Sequence, residues 1–208
     1  MLLVGLTGGI ASGKSVIGSL FERRGARLRR ADQDAHRLMA PGGAIWAEIR
    51  ARFGDGVLGT DGAIDRRILA GLVFDDASAR RDLEAIVQPR VIAAMKAETE
   101  RLAAEGRFGI YVSEAALIFE AGQAGFYDKI VVAYCRPDVQ IERLMARDGI
   151  DRTEAGKRLR AQMDPEEKKS RADYLIDTSD EFEETLARAE AVWAFLREDA
   201  RRKDGRPS

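Results

Sequence analysis

The chain has 208 residues, 45% hydrophobic and 33% charged, and its 34 Lys plus Arg stand against 35 Asp plus Glu. That balance argues against a whole-surface affinity for nucleic acid or anionic membrane; the basic stretch Arg201-Arg202-Lys203-Asp204-Gly205-Arg206 reads as a solvated, frayed end. A single Cys135 excludes an intramolecular disulfide framework, no apolar run approaches the roughly eighteen residues of a membrane span, and no charged n-region precedes the first apolar run. These features predict a cytoplasmic protein of one domain, long enough to hold an inserted subdomain.

Residues 2–7 form a short apolar stretch bounded by glycine, as a buried parallel strand should look. Gly8-Gly9-Ile10-Ala11-Ser12-Gly13-Lys14-Ser15 follows and matches G-x-x-x-x-G-K-[ST], the loop whose backbone N–H groups cradle a polyphosphate. From Ser15, the residues Val16, Ile17, Leu20 and Phe21 recur at helical spacing. Strand, glycine-rich turn and helix stand in the order the motif requires. Gly8, Gly9, Ile10, Ala11, Ser12, Gly13, Lys14, Ser15 and Val16 are therefore the candidate nucleotide-binding residues, for ATP or GTP.

Residues 26–30 carry three arginines and a single strong apolar residue, a poor strand by composition. Position predicts a strand all the same, because a phosphate loop and its helix normally cross over to a parallel neighbour. Asp32 or Asp34 would then lie on the sheet edge that carries Lys14. Residues 35–107 read as a mostly helical insertion covering the ligand crevice, a natural place for a second substrate. Within it, Pro41-Gly42-Gly43 breaks the pattern, and Ile45, Trp46, Ile49 and Phe53 share one apolar face. Residues 54–62 suggest a small hairpin around Thr60-Asp61-Gly62, and 64–73 a helix capped by Asp65 or a neighbour. A long amphipathic pattern over 77–105 should kink or break near Gln88, because Pro89 removes a helical N–H.

Residues 108–113 and 128–135 are the next strands, the second the clearest buried one in the chain, with Cys135 as a small buried hydrophobe. Pro137 opens a helix with Val139, Ile141, Leu144 and Met145 inward and Arg143 and Arg147 on another face. A charged helix over 153–163, with Thr153 as candidate cap, a polar stretch 165–171 and a strand at 173–177 lead to a closing helix over 181–201. That helix should bury Phe182, Leu186, Ala189, Val192, Trp193 and Leu196. The sum is an α/β, three-layer P-loop fold with a mainly parallel sheet, read as a single domain over 1–208 with an arginine-bearing segment over 143–165 after the fourth strand.

The chain lacks an Asn-Lys-x-Asp guanine-reading motif and the extended second domain of motor or transport ATPases. Its small size, helical insertion and arginine-rich segment after the fourth strand point to a P-loop kinase acting on a small molecule, the segment over 143–165 being its lid. At this point the chain resembles the dephospho-CoA kinase family, through pieces that lie in order along nearly its whole length. They are residues 5–15; Ala31-Asp32 with Ala35-His36; Pro41-Gly42; Asp61-Gly62-Ala63-Ile64-Asp65-Arg66; and Leu83-Glu84-Ala85-Ile86-Val87-Gln88-Pro89. Leu117-Ile118-Phe119-Glu120, Gln140-Ile141-Glu142-Arg143, residues 158–162, and Lys168 with Arg171-Ala172-Asp173-Tyr174-Leu175-Ile176-Asp177 complete the set. The chain departs from the family pattern at Arg30, Gln88 and Ala116, where Asp, His and Pro are usual, and at Val16 and Thr178, where Thr and Asn are usual. Those departures bear on substrate affinity, since Lys14, Ser15 and Asp32 are retained.

The resemblance implies transfer of the γ-phosphoryl of ATP to the ribose 3′-hydroxyl of dephospho-CoA, the last step of coenzyme A synthesis. The charge balance and the lack of a spanning apolar run lead to the expectation of no nucleic-acid or membrane partner. Lys14 would face the β- and γ-phosphates and the Ser15 hydroxyl would bind Mg²⁺. Asp32 would accept the proton of the attacking hydroxyl, the alternative being a helix cap, for which Asp34 is better spaced. Arg143, from the family pattern, and Arg147 and Arg158 would close a lid over the phosphates, the alternative being a solvated helix face. His36 would touch substrate or hold a structural partner. Of two glutamates flanking the third strand's end, Glu120 is the better candidate for holding a metal-bound water and Glu114 the weaker. A nucleoside or nucleotide kinase, or a regulatory protein without catalysis, would share the loop.

Overall fold

A computed structural model describes residues 1–31, 39–74 and 76–205. The chain divides into two compact units, Met1–Arg30 with Leu102–Ser208, and Ala31–Arg101. Among the described residues no helix is long and apolar enough to cross a membrane.

The first unit is built on one sheet of β1 (Leu2–Thr7), β2 (Arg27–Arg30), β3 (Ile110–Glu114), β4 (Lys129–Tyr134) and β5 (Tyr174–Asp177), in the order β2-β3-β1-β4-β5. Every neighbouring pair is parallel, as strands separated by helical crossovers must be. The alternation expected of strands sorts their side chains between two layers. Val4, Leu6, Val131 and Ala133 face Ile17 and Phe21 of α1 (Lys14–Arg23) and Val192, Trp193 and Leu196 of α8 (Phe182–Lys203). Ile130 and Val132 face the other way, onto Ile118 and Phe119. Between β4 and β5 the chain runs through α5 (Pro137–Asp148), α6 (Arg152–Arg160) and α7 (Pro165–Ser170).

The arginine-rich β2 forms because register overrides composition. Arg27, Leu28, Arg29 and Arg30 pair in step with Tyr111, Val112, Ser113 and Glu114, and edge position leaves the other side of the ladder unconstrained. Two predicted caps resolve differently. Asp65 accepts from the amides of Arg67 and Ile68 at 2.8 and 3.1 Å, as expected. At α6 the cap is Asp151, which accepts from Glu154 N–H at 2.8 Å, so the helix begins before Thr153 rather than at it.

The second unit holds α2 (Ala44–Phe53), α3 (Arg66–Phe74) and the start of α4 (Ala77–Glu105). Ile45, Ile49, Val57, Ile64 and Leu69 form its core, with Trp46, Leu83, Ile86 and Val87 packed against them. The expected hairpin is present: Leu58 bridges Ile64, Gly59 N–H donates to Ala63 O at 2.8 Å, and Trp46 Nε1 donates to Gly62 O at 2.9 Å. The break expected at Pro89 is absent, because α4 runs unbroken through it. Leu83, Ile86 and Val87 hold the preceding turn in the core, and Arg90 Nη1 donates to Ile86 O at 3.1 Å, so packing outweighs the lost N–H.

Candidate active site

The loop between β1 and α1 turns where only glycine fits. A Cβ on Gly8 would lie 2.3 Å from the Ala133 carbonyl oxygen, and its φ of +150° is one that side chains avoid. Ser12 N–H closes a tight turn onto Gly9 O at 3.2 Å, and Lys14 Nζ lies back along the loop, donating to Gly8 O and Gly9 O at 2.8 Å each. Among the described residues, the amides of Ala11, Gly13 and Ser15 donate to no group of the chain. They sit at the N-terminal, electropositive end of α1, and this makes a concave set of donors for an anion.

Beneath the loop, Ser15 Oγ donates to Glu114 Oε1 at 2.6 Å. Glu114 ends β3, where register sets it beside both Leu6 and Arg30, and it is only 8% exposed. Its second oxygen, Oε2, is buried with no hydrogen-bond partner, and Arg30 Nε lies 3.7 Å from it. A carboxylate oxygen left in that condition beside a serine hydroxyl is a hard-oxygen set of the kind Mg²⁺ prefers. Glu120 is engaged elsewhere: its carboxylate takes Lys168 Nζ at 2.8 Å and Met163 N–H at 3.0 Å. Of the two glutamates, Glu114 and not Glu120 is thus the one with an unfilled oxygen. The last position of β3 is the signal that could have favoured Glu114.

Arg143 points at the loop's flank. Its guanidinium donates to Thr178 O at 2.7 Å and to Thr178 Oγ1 and Cys135 Sγ at 3.4 Å each, and burial raises the pKa of the Cys135 thiol. Thr178 Oγ1 lies 2.9 Å from Ser12 O and 3.0 Å from Tyr134 O, so threonine at this position still ties the loop to the sheet. Arg143 and Thr178, with Ala11, Gly13, Val16, Phe182 and Thr185, line a cavity of about 290 Å³. Phe182 was expected in the core; it is 56% exposed instead, because at the first position of α8 it faces this cavity and not the sheet. Arg147 and Arg158 converge on Asp148, at 2.7 and 3.0 Å, and Arg158 also meets Glu154 at 3.1 Å. The adjoining Arg147 guanidinium holds the Asp148 carboxyl below its ordinary pKa.

Sequence reasoning gave no role to two glutamines that touch the loop. Ile10 N–H donates to Gln162 Oε1 at 2.7 Å, and Gln140 Nε2 donates to Ile10 O at 2.7 Å. Asp32, Asp34 and His36 lie outside the described residues.

Comparison of the sequence with known proteins points to a family. The model of the family described as dephospho-CoA kinase matches residues 2–184. The chain is 44% identical over 196 residues to the dephospho-CoA kinase of Geobacter sulfurreducens, covering 93% of this chain and 98% of that one. It is 44% identical over 197 residues to the dephospho-CoA kinase of Anaeromyxobacter dehalogenans, covering 95% and 93%. Among solved structures it is similar to the dephospho-CoA kinase of Campylobacter jejuni, with a TM-score of 0.68 and 27% identity over 97% of this chain and 98% of that one.

Proposed function

The chain belongs to the dephospho-CoA kinase family, and from that premise we propose how its residues transfer the γ-phosphoryl of ATP to the ribose 3′-hydroxyl of dephospho-CoA. The observation that carries the reading is the donor-lined loop with Ser15 and Glu114 beneath it. The amides of Ala11, Gly13 and Ser15 hold the phosphate oxygens, and Lys14, already lying along the loop mouth, adds charge against the β- and γ-phosphates. Phe182, Val16 and Arg143 give the neighbouring cavity an apolar wall and a flat cation, which suits a nucleobase. Arg143 accordingly acts on the base side of ATP, in addition to the lid role that the family resemblance implies.

Ser15 and Glu114 are the residues that would hold Mg²⁺, which supplies charge neutralisation on the phosphate oxygens. Among the described residues no cluster of three or more acidic, His or Cys side chains could hold a metal. The nucleotide would thus have to complete the coordination, as in other phosphoryl-transfer sites. In the reaction the 3′-oxygen attacks the γ-phosphorus as the bond to the β–γ bridging oxygen breaks and ADP leaves. Asp32 receives the hydroxyl proton, an assignment made on its place after β2 and on family resemblance. The near-neutral charge and buried lone cysteine support small-molecule partners and a cytoplasmic setting.

The test supplies purified protein with ATP, Mg²⁺ and either dephospho-CoA or a panel of nucleosides and nucleotides, and follows ADP. Turnover confined to dephospho-CoA is expected; turnover with nucleosides, or none at all, overturns the reading. In the same assay Asp32→Asn should lower kcat at least ~10²-fold with ATP affinity retained, and near-normal turnover would remove Asp32 from the mechanism.

A further inference from the structure

We propose that Gln162 and Gln140 are positioning residues for ATP, clamping Ile10 from both of its peptide groups so that the apex of the phosphate loop is set by the α5–α6 segment. The inference rests on the assignment of the loop to the phosphates of ATP. Gln162 follows α6 in the chain and accepts from Ile10 N–H at 2.7 Å; Gln140 lies on α5 and donates to Ile10 O at 2.7 Å. Ile10 stands between Gly9 and Ala11 at the top of the turn, so fixing its two peptide planes fixes the direction of the Ala11 amide that follows. Sequence separations of more than a hundred residues on both sides mean that neither bond arises from local folding.

Two details argue that the clamp exists for the loop and is not incidental packing. Gln140 is 1% exposed and its Oε1 is buried with no hydrogen-bond partner. An aliphatic side chain of similar size would avoid that desolvation cost, so the group is kept for what its Nε2 does. Gly9 has made room for it: a Cβ there would lie 2.5 Å from Gln140 Nε2 and 3.7 Å from Gln162 Oε1. Gly9, the residue after the motif's first glycine, therefore admits the clamp. The consequence is a division of labour along the loop. Ile10 is reserved for the chain, and the amides of Ala11, Gly13 and Ser15 are left for the ligand.

The decisive variant is Gln162→Met, which keeps length and volume and removes the acceptor at a half-exposed position. Binding of ATP, ADP and AMP to the full chain is measured by titration calorimetry in Mg²⁺, with KM and kcat from the ADP assay and the melting temperature of the free protein. ATP and ADP affinity should fall about fivefold to tenfold, the equivalent of one hydrogen bond, with AMP affinity held within about twofold. AMP lacks the phosphates that the apex would meet. KM for ATP should rise in proportion and kcat should change less. Gln140→Met should act in the same direction. The double variant should lose less than the product of the two, because both act through Ile10. Unchanged ATP affinity in Gln162→Met overturns the proposal. So does an equal loss for ATP and AMP together with a lowered melting temperature, the signature of a general packing role. Failure of the unaltered protein to bind ATP would overturn the assignment of the loop along with it.

Discussion

The end of β3 and the chain after it hold two glutamates in contrasting surroundings. Glu114, under the phosphate loop, meets one serine hydroxyl and keeps a buried oxygen without a hydrogen bond. Glu120, six residues on, is saturated by Lys168 and the Met163 amide, while the 1%-exposed Lys168 also donates to Ala116 O at 2.8 Å. A carboxylate whose valence the chain has filled is a structural member. One that the chain leaves incomplete, at the cost of burying an unpaired oxygen, is held for something the chain does not contain.

The largest expected effect breaks the contrast on the catalytic side. Glu114→Gln keeps the shape, removes the charge, and should lower kcat by ~10² or more while shifting the melting temperature little; normal turnover would make Glu114 structural after all. The second breaks it on the other side. In Glu120→Gln the buried Lys168 ammonium loses its counter-charge, and unfolding should become easier by roughly 2–3 kcal/mol, below the range for a fully buried pair because Glu120 is partly exposed. KM and kcat of the surviving folded enzyme should match the unaltered protein. A denaturant midpoint that did not move would show that Lys168 is satisfied by Ala116 alone.

The smallest effect concerns exposed charges, which neither pocket resembles. Asp148 titrates below an ordinary carboxyl because Arg147 donates to it. A depressed folded-state pKa stabilises the fold above the unfolded value of about 3.9 and loses that contribution as pH falls through the folded value. The melting-temperature difference between Asp148→Asn and the unaltered protein should therefore be small at pH 7 and shrink further as pH falls below the ordinary carboxyl range. A difference that grew on acidification would contradict the pairing.

Much of the fold was legible because it rests on local signals. The motif at Gly8 to Ser15, the apolar strands and the Asp65 cap could each be read from a few adjacent residues. β2 was legible only by topology, since nothing in three arginines announces a strand. What escaped depends on neighbours distant in the chain. Whether Glu114 or Glu120 is filled turns on Lys168; whether Phe182 is covered turns on which wall its helix starts against; Pro89 sits in an unbroken helix because of the core that Ile86 and Val87 join. Gln140 and Gln162 were visible as family-matched residues, yet no spacing rule links them to a loop more than a hundred positions earlier.

The place of β1 in the sheet carries one more consequence. It is hydrogen-bonded on both sides, to β3 and to β4, and the loop springs directly from its end. Amides in the middle of such a strand exchange with deuterium only when the whole unit opens. The base of the loop therefore needs no ordering when nucleotide arrives, and the entropy of assembling the phosphate cradle is already met in folding.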